Sequence, residues 1–242
     1  ADNSRVVVMG LCPSAMTTAD SHTTYSLPSR AGLTDVLVTP NGVTGSRKQP
    51  FGQALEFAHA AVRIVLKARR TDNTVGKLYV KNLKLTVPAR LVCGGLKWDT
   101  GAKQYLAAPA AADLVINHSG QILSTEDTQV AVFYLTPCSP ADLLTDLTGT
   151  GGTPGLTLTA DVAKDINFTT GARNASFPIL DGNLNFMDQF GSPATQLKGG
   201  ESYETTLKFD IDSFTLEGEE KEWEDGGKMT VPVVVPEPTP GP

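Results

Sequence analysis

Residues 199–227 read GGESYETTLKFDIDSFTLEGEEKEWEDGG, and this stretch decides the fold class. A Gly-Gly pair stands at each end of it. Tyr203, Thr205, Leu207 and Phe209 project to one side of the first extended segment, and Ile211, Phe214 and Leu216 follow on the second. Period-two alternation bounded by glycine turns is typical of half-buried antiparallel strands. The stretch therefore predicts two strands of a β protein, and it holds no group arranged for catalysis.

The composition of the whole chain agrees with β structure. Of the 242 residues, 40% are hydrophobic and only 19% charged, with 23 Gly and 16 Pro. Such a turn-rich, charge-poor chain favours strands over helices. Short strands with frequent turn signals predict sandwiches. We expect two β-sandwich domains with short helices in the connections, residues 1–122 and residues 123–242, divided near a loop-rich region at 107–127.

Charge and cysteine content narrow the function classes. The net charge is −6 and the pI about 5.1, so no basic face is available to neutralise nucleic-acid phosphates. Cys12, Cys93 and Cys138 are widely spaced and form no C-x-x-C pair of the kind a zinc site uses. One disulfide with one free thiol, or three buried thiols, both fit this number.

Three segments allow specific structural predictions. Residues 57–70 fit both a helix and a strand, and their β-branched residues and polar alternation favour the strand. Asn82 interrupts an alternating segment and predicts a β-bulge. Ser139 followed by Pro140 predicts the start of a short helix that ends near Leu147.

No segment carries the pattern of a catalytic, cofactor or metal site. The three histidines, His22, His59 and His118, lie far apart in sequence, and no G-x-S-x-G elbow accompanies them. The glycine-rich residues 148–155 lack the lysine of a phosphate loop. The acidic run at 217–225 does not have EF-hand spacing and is interpreted as a solvated sheet edge. We predict a protein that is not an enzyme.

The two terminal segments suggest a physical role. Residues 5–11 and residues 228–235 have strand-like patterns without clear integration into a domain, and Val231, Val233 and Val235 alternate in the second. A sheet that lacks one strand can accept such a segment from another subunit through main-chain hydrogen bonds. The alternative is that both ends pair within their own domain, and Pro232 limits the second as a central strand.

Three segments together resemble the fimbrillin-like proteins of Bacteroides-type bacteria, which build or decorate type V pili. The first is the C-terminal pattern G-G-x-x-Y-x-x-x-L-x-F…W-E-D-G-G in residues 199–227. Residues 57–64 resemble the family's F-x-H-x-x-x-x-[VI] strand. Residues 130–137, followed by residues 156–162, are similar to the segments that open its second domain.

This resemblance implies two transthyretin-like β-sandwich domains and a pilus or adhesin role, reached by an outer-membrane lipoprotein route. It also implies that an arginine-directed cut removes an N-terminal strand and opens an acceptor groove, with Arg5 and Arg30 as the candidate processing residues. The expected partners are other pilus subunits, joined by strand addition, and host or bacterial surface ligands.

We therefore expect a fimbrial subunit or associated adhesin at the cell surface, in the outer membrane or fimbrium, with no cofactor. The rival class is a surface carbohydrate-binding module, which a groove with two or three exposed aromatic residues would favour. The first residues lack a signal-peptide pattern, so we expect any targeting segment to precede residue 1. No apolar run is long enough to span a membrane.

Overall fold

The computed structural model describes residues 5–18, 22–40, 42–46, 54–70, 79–122, 124–143, 155–178, 195–209, 214–222 and 228–233. Its strands confirm the all-β class. The first nine are β1 (Val6–Val8), β2 (Leu11–Cys12), β3 (Thr17–Thr18), β4 (Thr24–Ser26), β5 (Leu37–Val38), β6 (Val43–Gly45), β7 (Ala58–His59), β8 (Val62–Arg70) and β9 (Tyr79–Val87). The rest are β10 (Cys93–Asp99), β11 (Gln104–Pro109), β12 (Leu114–Ile122), β13 (Thr128–Leu135), β14 (Thr157–Ala163), β15 (Arg173–Pro178), β16 (Glu201–Phe209), β17 (Phe214–Glu222) and β18 (Lys228–Val233).

The larger sandwich joins two sheets over one apolar core. One sheet has the order β13-β8-β16-β17-β18 and the other β12-β9-β14-β15. Strands β8 and β16 run parallel, whereas the other pairs in these sheets are antiparallel. Alternate residues of the strands fill the core between the sheets, among them Val62, Ile64, Leu85, Phe133, Leu158 and Tyr203. Burial of these side chains provides the main driving force for folding.

A smaller core lies under the N-terminal sheets. Its buried residues are Leu27, Val36, Val38, Ala61, Cys93 and Leu96. The sheets around it have the orders β11-β10-β4-β3 and β2-β5-β7, while β1 and β6 form a separate two-stranded ribbon. A two-stranded ribbon has little stability of its own in water, so β1 is only weakly integrated into this region.

Residues 57–70 form strands, as the β-branched residues predicted. Strand β8 pairs with β13 on one side and β16 on the other, which makes it a central strand. Val65 is buried even though it lies on the same side as the half-buried Arg63 and Lys67. The Lys67 ammonium meets the Glu204 carboxylate at 2.5 Å, so the polar side chains of β8 find partners on the neighbouring strand.

The predicted bulge at Asn82 is confirmed. Its φ is 53°, and the register of β9 shifts against both β12 and β14 at this point. Asparagine tolerates this left-handed conformation better than most residues. Its Nδ2 donates a 2.7 Å hydrogen bond to Oδ2 of Asp161 on β14.

The region expected to be loop-rich is mostly strand. Strands β11 and β12 occupy 104–109 and 114–122, and His118, expected in a loop, lies on β12. Both are edge strands. Their exposed positions carry small and polar residues, so the sequence pattern did not indicate strands here. Both sheets of the larger sandwich also contain strands from either side of residue 122. The division of the chain at that residue therefore stays a prediction that the strand pairing does not support.

Two local expectations need correction. The acidic run falls largely on β17, which is paired with β16 and β18 on its two sides and is therefore not a sheet edge. The predicted helix is a short 3-10 turn at Pro140–Leu143. Its Ser139 does not cap through its hydroxyl oxygen; instead the hydroxyl donates to the Asp142 carboxylate at 2.9 Å. Residues 144–147 and Trp223 lie outside the described residues.

Candidate assembly surface

Strand β4 covers one side of β10. The two strands are antiparallel, with Ser26 opposite Gly95 and Tyr25 opposite Leu96. Backbone hydrogen bonds continue beyond the paired strands, from Leu27 N to the Gly94 carbonyl and from Trp98 N to the Thr23 carbonyl, each 2.7 Å. The N-terminal segment thus satisfies the backbone groups along this side of β10.

Gly95 makes this close pairing possible. Its φ is 149°, a conformation that residues with side chains rarely adopt, and the Tyr25 carbonyl occupies the space that a Cβ would need. A glycine is required here for both reasons. The sequence signal was the Gly94-Gly95 pair inside an otherwise strand-like segment, which indicates close backbone approach.

The segment that contains β4 also closes the smaller core. Leu27 is 8% exposed and packs in the same cluster as Cys93 and Leu96, which are fully buried. Leu11 and Tyr25 pack against this cluster from the same N-terminal segment. Without residues 1–30, an unpaired edge of β10 would lie beside an open apolar groove.

The two candidate processing arginines differ in which strands a cut after them would release. Both are exposed. Arg5 precedes β1, so a cut after it would leave every strand attached. Arg30 lies between β4 and β5, in a turn where the Leu33 N–H donates to the Arg30 carbonyl at 3.0 Å. A cut after Arg30 would separate β1–β4 from the rest of the chain.

An exposed apolar surface surrounds β1. Val6, Val7 and Val8 are 55%, 56% and 39% exposed, although β1 is paired with β6. Near this ribbon, Phe57 is 48% exposed and lines a cleft of about 580 Å³ together with residues such as Thr39, Val43 and Leu55. The N-terminal strand is thus held by its ladder and buries few of its side chains.

The candidate donor strand lies at the opposite end of the chain. In β18, Val231 is opposite Leu216 and Val233 is opposite Phe214 of β17. Among the strands that the structure describes, β18 is at the edge of its sheet. Val235 lies outside the described residues. An edge strand gives up only one ladder when it detaches, and Pro232 donates no hydrogen bond to that ladder.

A polar pair that the sequence did not predict joins β7 to the segment before β5. His59 Nδ1 lies 2.5 Å from Asp35 Oδ2, and the side chains are 33% and 22% exposed. The other Asp35 oxygen is buried, and the described residues offer it no hydrogen-bond partner. Burial raises the pKa of Asp35, and the hydrogen bond and charge of His59 offset this only in part. The partners are 24 residues apart, and no spacing rule connects them.

The thiols are separate from one another. Cys12, Cys93 and Cys138 are all free, so the disulfide alternative is wrong for this structure. Burial is the main cause that raises the pKa of both the Cys93 and the Cys138 thiols to about 12. Cys12 is only half-buried. Reactivity is therefore expected at Cys12 first, because it is the most exposed of the three thiols.

The described part of the chain holds neither a metal-binding cluster nor a membrane-spanning helix. Its residues include no group of three or more His, Cys, Asp and Glu side chains placed to hold a metal ion. Its helical residues form no segment long and apolar enough to cross a membrane.

Comparison with known proteins found similarity only among solved structures. No family model and no curated protein matches the chain. A candidate cell adhesion protein from Bacteroides uniformis is 12% identical with a TM-score of 0.49, over 89% of this chain and 72% of that one. A candidate cell adhesion protein from Parabacteroides distasonis is 10% identical with a TM-score of 0.43, over 85% of this chain and 60% of that one.

The tip fimbrial protein Mfa3 from Porphyromonas gingivalis, with a C-terminal truncation, is also similar. It is 10% identical with a TM-score of 0.35, over 88% of this chain and 70% of that one. All three TM-scores lie below 0.5, so the functional proposal rests on the chain's own residues.

Proposed function

We propose that this chain is a cell-surface fimbrial subunit or associated adhesin, without catalytic activity, that joins neighbouring copies by strand exchange. It would reach the outer membrane or fimbrium as a lipoprotein precursor. The observation that carries the proposal is the position of β4. This strand closes one side of β10 and one side of the smaller core, yet the exposed turn at Arg30 connects it to the rest of the chain.

The first step is a cut after Arg30. It frees residues 1–30, whose departure would remove the backbone partners of Gly95 and Leu96 and the side chain of Leu27. An unpaired strand edge beside an apolar groove is a template for another strand. A cut after Arg5 alone would expose no edge, because β1–β4 would stay attached. Of the two candidate residues, we therefore assign processing to Arg30.

The second step is insertion of β18 from a neighbouring copy. Its backbone would hydrogen-bond to β10, and Val231 and Val233 would fill the place that Leu27 leaves, in the manner of strand addition. Val235 would continue the same face. The strand is available because, among the described strands, it pairs only with β17.

The test is assembly after controlled proteolysis. The purified chain is trimmed with an arginine-specific protease and run on SDS gels with and without boiling. We expect a ladder that survives SDS and collapses on boiling. Arg5→Lys should assemble like the unchanged protein, whereas Arg30→Lys should stay monomeric. A trimmed chain that stays monomeric, or an Arg30→Lys variant that still polymerises, would contradict the proposal.

A further inference from the structure

Four ring side chains form a row at one end of the smaller core. The ring centroids of His22 and Tyr25 are 6.2 Å apart, those of Tyr25 and Tyr105 are 5.6 Å apart, and those of Tyr105 and Trp98 are 5.1 Å apart. The Tyr25–Tyr105 and Tyr105–Trp98 pairs meet edge to face, with angles between the ring planes of 74° and 67°. The row crosses three strands and the residues just before β4.

The row continues the core face of the sheet beyond the core itself. On β10, Leu96 is fully buried and Trp98, two residues on, lies on the same face but is only half-buried. Trp98 is opposite Tyr105 on β11, which is also half-buried. Aromatic surface thus reaches solvent where the sandwich ends.

Hydrogen bonds hold the polar ends of these rings in place. The Tyr105 hydroxyl donates to the His22 carbonyl at 2.6 Å, and His22 Nδ1 lies 3.0 Å from the Tyr25 hydroxyl. His22 has a φ of 65°, so its backbone turns to present both the carbonyl and the ring. The row therefore combines fixed aromatic faces with hydroxyl and imidazole groups that exchange hydrogen bonds.

From this juxtaposition we infer that the row is a binding site for a neutral oligosaccharide. Sugars present an apolar C–H face and a rim of hydroxyl groups, and aromatic rings with polar tips match both features. Trp98 supplies the largest half-exposed ring. Its indole N–H is a hydrogen-bond donor of the kind that a sugar hydroxyl accepts.

Charge selects the kind of sugar. Asp99 follows Trp98 directly, and its Oδ1 accepts a 2.6 Å hydrogen bond from the Ala102 N–H in the exposed turn beside the row. The whole chain carries a net charge of −6. This overall negative charge disfavours the approach of a uronic-acid polymer, whereas a neutral polymer is not affected by it. The row overlaps the strand-exchange surface: His22 and Tyr25 lie in the segment that the Arg30 cut would release, so the complete row exists only in the uncut chain.

The simpler interpretation is that the rings only close the end of the core. A binding measurement distinguishes this purely structural role from a sugar-binding site. The uncut full-length chain is run on native gels that contain galactomannan, pullulan, xylan or, for comparison, polygalacturonate. We expect retardation in at least one neutral polysaccharide and none in polygalacturonate. No retardation in any neutral gel, or retardation by polygalacturonate alone, would overturn the inference.

Two variants locate the binding. Trp98→Ala should weaken retardation about tenfold, which corresponds to about 1.4 kcal/mol and lies within the range of an aromatic contact. Leu106→Ala is the matched control, since Leu106 is 42% exposed on β11 but points away from the row. Equal retardation of both variants would overturn the assignment. If Trp98→Ala fails to fold, tryptophan fluorescence of the unchanged chain and of Trp98→Phe is titrated with the neutral polysaccharide instead. Saturable quenching that is seen in the unchanged chain and lost in Trp98→Phe supports the site. Absence of saturable quenching in the unchanged chain overturns it.

Binding and strand exchange can fail separately. The gels use the uncut chain, in which residues 1–30 are still attached, so they report on the row alone. The SDS ladder reports on assembly alone. A chain that binds polysaccharide but forms no ladder would keep the site and refute strand exchange.

Discussion

The backbone carbonyl of Tyr25 occupies the space that any side chain on Gly95 would need, and Gly95 also has a φ of 149°. This contact fixes how closely the N-terminal segment approaches β10. It lies between Leu27 and Trp98, the residues whose backbone hydrogen bonds extend the pairing on either side. The stability of the N-terminal region and its proposed release both depend on this contact.

Gly95→Ala should therefore destabilise the chain. Strain at the positive φ and the clash with β4 together should lower the free energy of unfolding by about 2–4 kcal/mol. Chemical denaturation measures the effect. Gly101→Ala is the control, because a Cβ there would meet only the Asp99 side chain, at 3.3 Å, and a change below about 1 kcal/mol is expected. Equal effects of the two substitutions would show that β4 does not approach β10 as described.

The thiols should report the departure of the N-terminal segment. In the uncut chain, alkylation with iodoacetamide should modify Cys12 and spare Cys93 and Cys138, whose thiol pKa values are raised to about 12. After the Arg30 cut and removal of residues 1–30, Cys93 should react, because Leu27 no longer covers it. Cys138 lies in the larger core and is the internal control. Peptide mass mapping that finds Cys93 as protected as Cys138 would contradict the release of β4.

Asp35→Asn should change how stability depends on pH. Burial raises the pKa of Asp35 above its ordinary value of 3.8, so the folded chain holds this proton more tightly than the unfolded one. The stability that the protonated carboxyl contributes is complete below the unfolded pKa and is lost as pH rises through the folded pKa. Relative to the unchanged protein, Asp35→Asn should therefore become more stable as pH rises from acid towards neutral. Thermal unfolding across this pH range measures the difference in stability between the variant and the unchanged protein. A difference that stays constant or falls as pH rises would contradict a raised pKa at Asp35.

Asp161→Asn should show the opposite slope. Hydrogen bonds from the Asn174 and Asn82 amides lower the pKa of Asp161 below its ordinary value of 3.8. The stability that its carboxylate contributes is present above the unfolded pKa and is lost as pH falls through the folded pKa. The variant should thus be less stable than the unchanged protein near neutral pH and approach it in acid. Because Asp161 is well solvated, a small effect is expected, and its sign is the result that matters.

Local patterns predicted much of this fold. The alternation in residues 199–227 predicted the β16 and β17 strands, and the break in alternation at Asn82 predicted the bulge. Strands β11 and β12 were missed, since Ala107-Ala108-Pro109 and His118-Ser119-Gly120 have low strand propensity and lie in edge strands. Edge strands are paired on one side only, so fewer of their residues need to be apolar.

Contacts between residues far apart in the sequence could not be predicted from local patterns. The parallel pairing of β8 with β16 brings Arg63 Nη1 to 3.2 Å from Ser202 Oγ across 139 residues, and no local pattern specifies it. The same holds for the His59–Asp35 pair and for the row that joins Tyr25 to Tyr105 and Trp98. Each of these depends on which strands become neighbours, which only the folded chain determines.

The most direct test of strand exchange uses the donor strand as a peptide. A synthetic peptide of residues 228–235, KMTVPVVV, is added to the Arg30-cut chain after residues 1–30 are removed, and the Tm is measured. We predict that the peptide raises the Tm of the cut chain, leaves the uncut chain unchanged and suppresses the SDS-resistant ladder. A control peptide with Asp at the positions of Val231, Val233 and Val235 should do none of these. A cut chain whose Tm does not respond to the peptide, or responds equally to both peptides, would contradict the proposal that β18 of one copy completes the sheet of the next.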